Sequence, residues 1–193
     1  MIKAVIFDCF GVLITDALSN ICNTMLADAP DKAQQVRELV RSANHGLVTP
    51  SEFDSLMSDI LGITQEEYVH QRSAGEVKNE QLLAYILELR PKYKTAILSN
   101  ITTGGLARRF SDEDLTKYFD AWVASAEVGV TKPEAGAYEY VARQLGVRTS
   151  ECIFVDDIEA FCRAAEATGM KVVCYQDFTQ MKGEVEALLA NSN

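Results

Sequence analysis

The chain has 193 residues, 48% of them hydrophobic, and a formal net charge of −10 at pH 7. That length suits one domain, or a core with a small insertion, and the apolar fraction is enough for a sizeable core. A field of this sign repels phosphate backbones and acidic lipid, which argues against nucleic-acid and membrane-surface roles; a small phosphate is still bindable where a cation and a lysine line a pocket.

The first predicted element is a strand, Lys3-Ala4-Val5-Ile6-Phe7-Asp8. Its apolar run is too short for a signal peptide and flows straight into an aspartate. From about Asp16 to Arg90 no strand-like run occurs, and apolar residues recur at helical spacing, as in Val36, Leu39, Val40 and Ala43. Thr49-Pro50-Ser51-Glu52 reads as a capping box with proline at the first helical position, and Thr64-Gln65-Glu66-Glu67 as a second one after a helix stop at Gly62. The texture predicts a helical module over residues 16–90, inserted between core segments 1–15 and 91–193.

From Lys94 onward strands and helices alternate. Thr95–Asn100 is a strand ending in Ser99-Asn100, followed by a predicted helix over Thr103–Phe110. The run Trp122–Ser125 leads into Gly129-Val130-Thr131-Lys132-Pro133 and a helix over Glu134–Leu145. Cys152–Asp157 ends in two aspartates before a helix over Ile158–Thr168, and Lys171–Cys174 ends near Asp177 before a helix over Thr179–Ala190. Short β-branched runs alternating with helices imply parallel βαβ units, hence an α/β fold with a doubly wound parallel sheet. Ligands of such sheets sit beyond the carboxyl ends of the strands, so Asp8, Ser99, Lys132, Asp156 and Asp157 are expected to converge.

The five cysteines form no C-x-x-C pair and show no ligand-like spacing with His45 or His70. They fit a reduced intracellular protein, and with no apolar stretch near membrane-spanning length the expected location is the cytoplasm. Cys9 alternates away from Asp8 and is expected in the core. His45 and His70 are expected at the surface, Arg108 and Arg109 as solvated helix residues, and Tyr138 and Tyr140 as helix packing. Taken singly, Asp8 reads as a turn or cap residue, Asp156-Asp157 as a helix cap, and Lys132 as a solvated loop lysine. Their joint placement at the ends of successive strands favours a shared site.

Asp8-Cys9-Phe10-Gly11-Val12-Leu13, Leu98-Ser99-Asn100, Lys132-Pro133 and Phe154-Val155-Asp156-Asp157 together resemble the four ordered motifs of the haloacid dehalogenase-like hydrolases. The resemblance covers essentially the whole chain, and the helical insertion looks like the cap of the subgroup whose cap follows the first motif. It implies a Rossmann-like core and a Mg²⁺-dependent phosphatase acting on a small phosphate ester, with Asp8 attacking phosphorus to form an aspartyl-phosphate. Asp8, Asp157 and the backbone carbonyl of Phe10 are implied as Mg²⁺ ligands, with Asp156 close by or acting through water. Ser99 and Asn100 are implied to bind the phosphate, and Lys132 to neutralise charge on nucleophile and phosphoryl group.

Phe10 departs from the pattern, because most phosphatases of this superfamily carry there an aspartate that serves as general acid and then base. Sugar-1-phosphate phosphatases of the same capped subgroup also lack it, whereas haloacid dehalogenases have an aromatic residue at this position. Carbon–halogen displacement needs no metal, so retaining both Asp156 and Asp157 favours a phosphatase. The alternatives are a 2-haloacid dehalogenase, for which Arg37 and Arg41 are candidate carboxylate contacts, and a weakly active member that binds a phosphorylated ligand or partner. The helical segment shows no basic cluster demanding a second phosphate, so a small phosphorylated metabolite such as a sugar phosphate is the expected substrate. Oligomeric state is not legible.

Overall fold

The computed structural model describes residues 1–191. Five strands, β1 (Ala4–Phe7), β2 (Lys94–Ser99), β3 (Ala121–Ala124), β4 (Cys152–Asp156) and β5 (Lys171–Cys174), form one parallel sheet in the order β3-β2-β1-β4-β5. The strands are short and apolar because helices cover both faces. Alternation along β1 sends Val5 and Phe7 into one apolar cluster, with Ile97, Val155 and Met181, and Ala4 and Ile6 into another, with Leu98, Tyr138 and Phe154. This is the expected doubly wound α/β architecture. Phe7 stands opposite both Ile97 and Val155, so the next residues, Asp8 and Asp156, emerge side by side at the carboxyl edge.

Helices α1 (Ala17–Met25), α2 (Pro30–Asn44), α3 (Pro50–Leu61) and α4 (Gln65–Gly75) share their own apolar cluster around Met57 and Tyr68. Thr49 and Glu52 form both halves of the expected capping box, and Gly62 stops α3 as its C-cap. Thr64 makes only the cap half, accepting from the Glu67 amide. Helix α5 (Glu80–Leu89) instead packs on the sheet through Leu82, Leu83 and Ile86. Within the inserted stretch, α5 thus shares the apolar cluster of the sheet while α1–α4 share one of their own. The cap joins the core through a two-chain neck, where the Thr15 amide donates to Val77 O at 3.0 Å and the Asn79 amide to Leu13 O at 2.9 Å. On the far side Ser125 Oγ donates to Asn44 O at 2.7 Å, joining the C-terminal end of α2 to the core.

One predicted helix is absent. Residues 103–109 form successive turns, with Gly104 at φ +66°, a conformation that interrupts a helix. The helix here is α6 (Asp112–Tyr118), started by Ser111, whose hydroxyl accepts from the Asp114 amide. A short α7 (Ser125–Val128) follows β3, and α8 (Ala135–Gln144), α9 (Glu159–Ala167) and α10 (Phe178–Ala190) fall where alternation places them. Among the described residues, no helix is long and apolar enough to cross a membrane.

Candidate active site

The carboxyl ends of β1 and β4 and the loop after α7 form the floor of a cavity of about 820 Å³ between core and cap. Lys132 Nζ lies 2.7 Å from Asp8 Oδ1 and 2.6 Å from Asp156 Oδ2, with all three side chains buried. Asn100 fixes the lysine from behind. Its Oδ1 accepts from the Lys132 amide and its Nδ2 donates to the Lys132 carbonyl, both at 2.8 Å. That commits the Asn100 amide to the loop. Ser99 is fully buried, and its Oγ has no hydrogen-bond partner.

The two aspartates of β4 differ. Asp156 is committed on both oxygens, to Lys132 and to the Ile158 amide at 2.8 Å. Asp157 opens onto the cavity. Gly11 makes room for it, at φ +80°, where a Cβ would lie 2.2 Å from Asp157 Oδ2. Oxygens of Asp8, Asp156 and Asp157 all lie within 4.8 Å of one another. Three carboxylates against one ammonium leave surplus negative charge, and an all-oxygen donor set of this kind suits Mg²⁺. In the turn that follows, the Gly11 amide donates to Ile14 O and the Leu13 and Ile14 amides to Cys9 O, leaving the Phe10 carbonyl out of these bonds.

The electrostatics follow from burial. Desolvation pushes the Asp8 carboxyl from 3.8 up to about 7, against the pull of Lys132 and with the repulsion of Asp156. Burial by itself would lower Lys132, but the Asp8 and Asp156 carboxylates overcome it and raise the ammonium. Asp157 is raised by burial and by the neighbouring Asp156 charge. A divalent cation would reverse the rise at Asp8 by favouring its ionised form.

Above the floor, the sequence reading missed an arginine. Arg109 is not a solvated helix residue: its guanidinium stacks 4.8 Å from the centre of the Phe10 ring and pairs with Glu76 in the neck. Its Nε is buried without a partner. Arg72 of α4 pairs with Asp54 of α3 and lies 5.1 Å from the Tyr68 ring centre. Arg108 also lines the cavity, as do Arg37 and Arg41 of α2. Cys9 is fully buried in the core and Tyr138 packs edge-on against Phe154, as expected. His45 and His70 are exposed, away from the floor.

Comparison with known proteins bears on the family and the fold. A family model described as haloacid dehalogenase-like hydrolase matches residues 2–169. D-ribitol-5-phosphate phosphatase of Bacteroides thetaiotaomicron is 27% identical over 206 residues, covering 98% of this chain and 99% of that protein. A haloacid dehalogenase family enzyme from the same organism, in complex with magnesium and inorganic phosphate, superposes with a TM-score of 0.73 at 24% identity, over 93% of this chain and 98% of the other. The L-2-haloacid dehalogenase of Xanthobacter autotrophicus, with chloropropionic acid covalently bound, gives a TM-score of 0.63 at 25% identity, over 89% and 76%.

Proposed function

The chain belongs to the haloacid dehalogenase-like hydrolases, and on that footing we propose that it is a Mg²⁺-dependent phosphatase of a small phosphorylated metabolite, with Asp8 as nucleophile. The observation that carries the reading is the open carboxylate of Asp157 beside Asp8 and Asp156. Such surplus charge suits a metal-assisted phosphoryl transfer and has no use in a metal-free halide displacement. The similarity to D-ribitol-5-phosphate phosphatase supports a sugar- or polyol-derived ester.

Asp8 and Asp157, with the Phe10 carbonyl, would hold the ion. When bound it neutralises charge between the attacking carboxylate and the phosphoryl group. Asp8 attacks phosphorus and the ester P–O bond breaks, leaving an aspartyl-phosphate. Lys132 orients Asp8 and offsets the charge it shares with the phosphoryl oxygens. Asn100 positions Lys132 through the main chain, and Asp156 holds the ammonium from the other side. The unpartnered Ser99 Oγ is available to a phosphate oxygen. Phe10 has no proton to give, so the departing oxygen takes its proton from water, and water also cleaves the acyl phosphate without a base at that position.

A panel of phosphate monoesters, assayed with Mg²⁺ and in EDTA and including 2-chloropropionate, tests the reading. Ester hydrolysis abolished by EDTA is expected. Full activity in EDTA with halide release would replace it by a dehalogenase.

A further inference from the structure

Five of the nine arginines of this acidic chain line one cavity. They come from three separate stretches, which is why the sequence shows no basic cluster. Two of the five are neutralised, Arg72 by Asp54 and Arg109 by Glu76. Among the described residues, the other three form no ion pair with a carboxylate. Arg108 donates to Thr103 O at 3.1 Å and to Thr102 Oγ1 at 2.8 Å, both neutral acceptors. Arg37 donates only to the side-chain carbonyl of Gln34. Arg41 lines the cavity, and its guanidinium has no hydrogen-bond or ion-pair partner among the described residues.

These cations crowd one another. Burial, then the charges of Arg109 and Arg72, lower the Arg108 pKa from its ordinary value. On the phosphatase reading, Lys132 and the carboxylates of Asp8 and Asp157 serve the phosphoryl group on the floor. Charge left over on the wall, facing a cavity far larger than one phosphoryl group, calls for a second anion.

Resting on the phosphatase reading, we propose that Arg108 and Arg41, with Arg37 at the rim, form a subsite for a second anionic group of the substrate, distal to the phosphate that is cleaved. The substrate class is then a phosphate ester whose far end carries a carboxylate or another phosphate. Guanidinium groups suit either, since their planar fork matches both anions. A sugar-derived ester satisfies this only if its other end is acidic.

Three-carbon phosphate esters ending in a hydroxyl, a carboxylate or a second phosphate provide the test, and their order identifies the anion. The Mg²⁺-loaded enzyme should favour one charged ester over the hydroxyl ester by at least about tenfold in kcat/KM, the order expected of a charge-assisted hydrogen bond. Arg108→Gln should erase most of that ratio, chiefly through KM for the charged ester. Arg41→Gln, which breaks no bond within the protein, should erode the same ratio and guards against a misfolded Arg108 variant. A ratio near one in the wild type, or one untouched by both substitutions, overturns the subsite. Calorimetry with the three esters on Asp8→Asn protein separates the two claims. Tighter binding of a charged ester, lost in Asp8→Asn/Arg41→Gln, supports the subsite even if no ester is turned over; in that case it is the phosphatase reading that falls. Equal binding of all three overturns the subsite alone.

Discussion

The floor and the wall of the cavity are both built from ion pairs, but they differ in origin and in how water reaches them. On the floor, Lys132 bridges Asp8 and Asp156 with the three side chains no more than 8% exposed, on strand ends and a loop pinned by Asn100. On the wall, the pairs Arg72–Asp54 and Arg109–Glu76 keep 11–18% of their side chains exposed and sit on cap helices, the neck and a turn. Arg37, Arg41 and Arg108 are more exposed still. Buried charges interact strongly and tolerate little rearrangement, whereas exposed ones are screened and free to answer a ligand. On the proposed reading, the difference is a division of labour, with chemistry fixed to the sheet and recognition carried by the wall.

The largest expected effect separates the two aspartates of the floor. Asp156→Ala strips a buried ammonium of one partner and should cost about 3–5 kcal/mol in denaturant unfolding. Asp157→Ala removes a carboxylate that opens onto the cavity, so its stability should stay within about 0.5 kcal/mol while Mg²⁺ binding is lost in calorimetry. Equal unfolding midpoints, or unchanged Mg²⁺ affinity in Asp157→Ala, would break the contrast between a structural and a metal-facing carboxylate.

A smaller effect couples floor to wall at Phe10. With no acid there, hydrolysis should slow steeply as leaving-group pKa rises. Phe10→Asp alone should help alkyl esters little, because a carboxylate placed beneath Arg109 would be held ionised and would be a poor acid. Phe10→Asp with Arg109→Gln should gain more, up to about 10²-fold, the lower end of general-acid help. Full gain in the single variant, or a flat leaving-group dependence in the wild type, would show that Arg109 does not govern this position.

A further effect is in pH dependence. The folded-state pKa of Asp8 is raised from 3.8 to about 7, so the folded state keeps a proton that the unfolded state has released. Without metal, this group makes stability fall as pH rises from 3.8 to about 7, and Asp8→Asn should flatten that slope. Saturating Mg²⁺ should flatten it in the wild type. Glu151, remote from the cavity, acts with opposite sign. Its hydrogen bonds to Arg148 and Lys3 hold it at about 2, so its stabilisation is present above 4.5 and fades as pH falls towards 2. An Asp8→Asn melt with the wild-type slope between 4 and 7 would remove the buried carboxylate from the account.

The floor was legible because it depends on sheet rules. A polar residue at the end of each apolar run must emerge at one edge of a parallel sheet, whatever the sequence distance, and Asp8, Lys132, Asp156 and Asp157 do so. The pairing of the Asn100 side chain with the Lys132 main chain was not legible, since only coordinates reveal it. The wall was misread for a local reason. Gly104-Gly105 breaks the helix expected over Thr103–Phe110, and Ser111-Asp112-Glu113-Asp114 carries the cap signal of the helix that does form. With a helix assumed there, Arg108 and Arg109 looked solvated. The ion pairs of Arg72 and Arg109 join residues 18 and 33 positions apart, beyond any periodicity.

Acid-quenched turnover followed by peptide mass analysis tests the central claim most directly. Because Phe10 offers no base for the second step, the acyl phosphate should accumulate. The expected result is a single phosphoryl increment on the peptide containing Asp8, dependent on Mg²⁺ and absent from Asp8→Asn, which should also lose at least about 10³-fold in turnover. Rapid ester hydrolysis by Asp8→Asn, or a phosphoryl group trapped on any other residue, would contradict it.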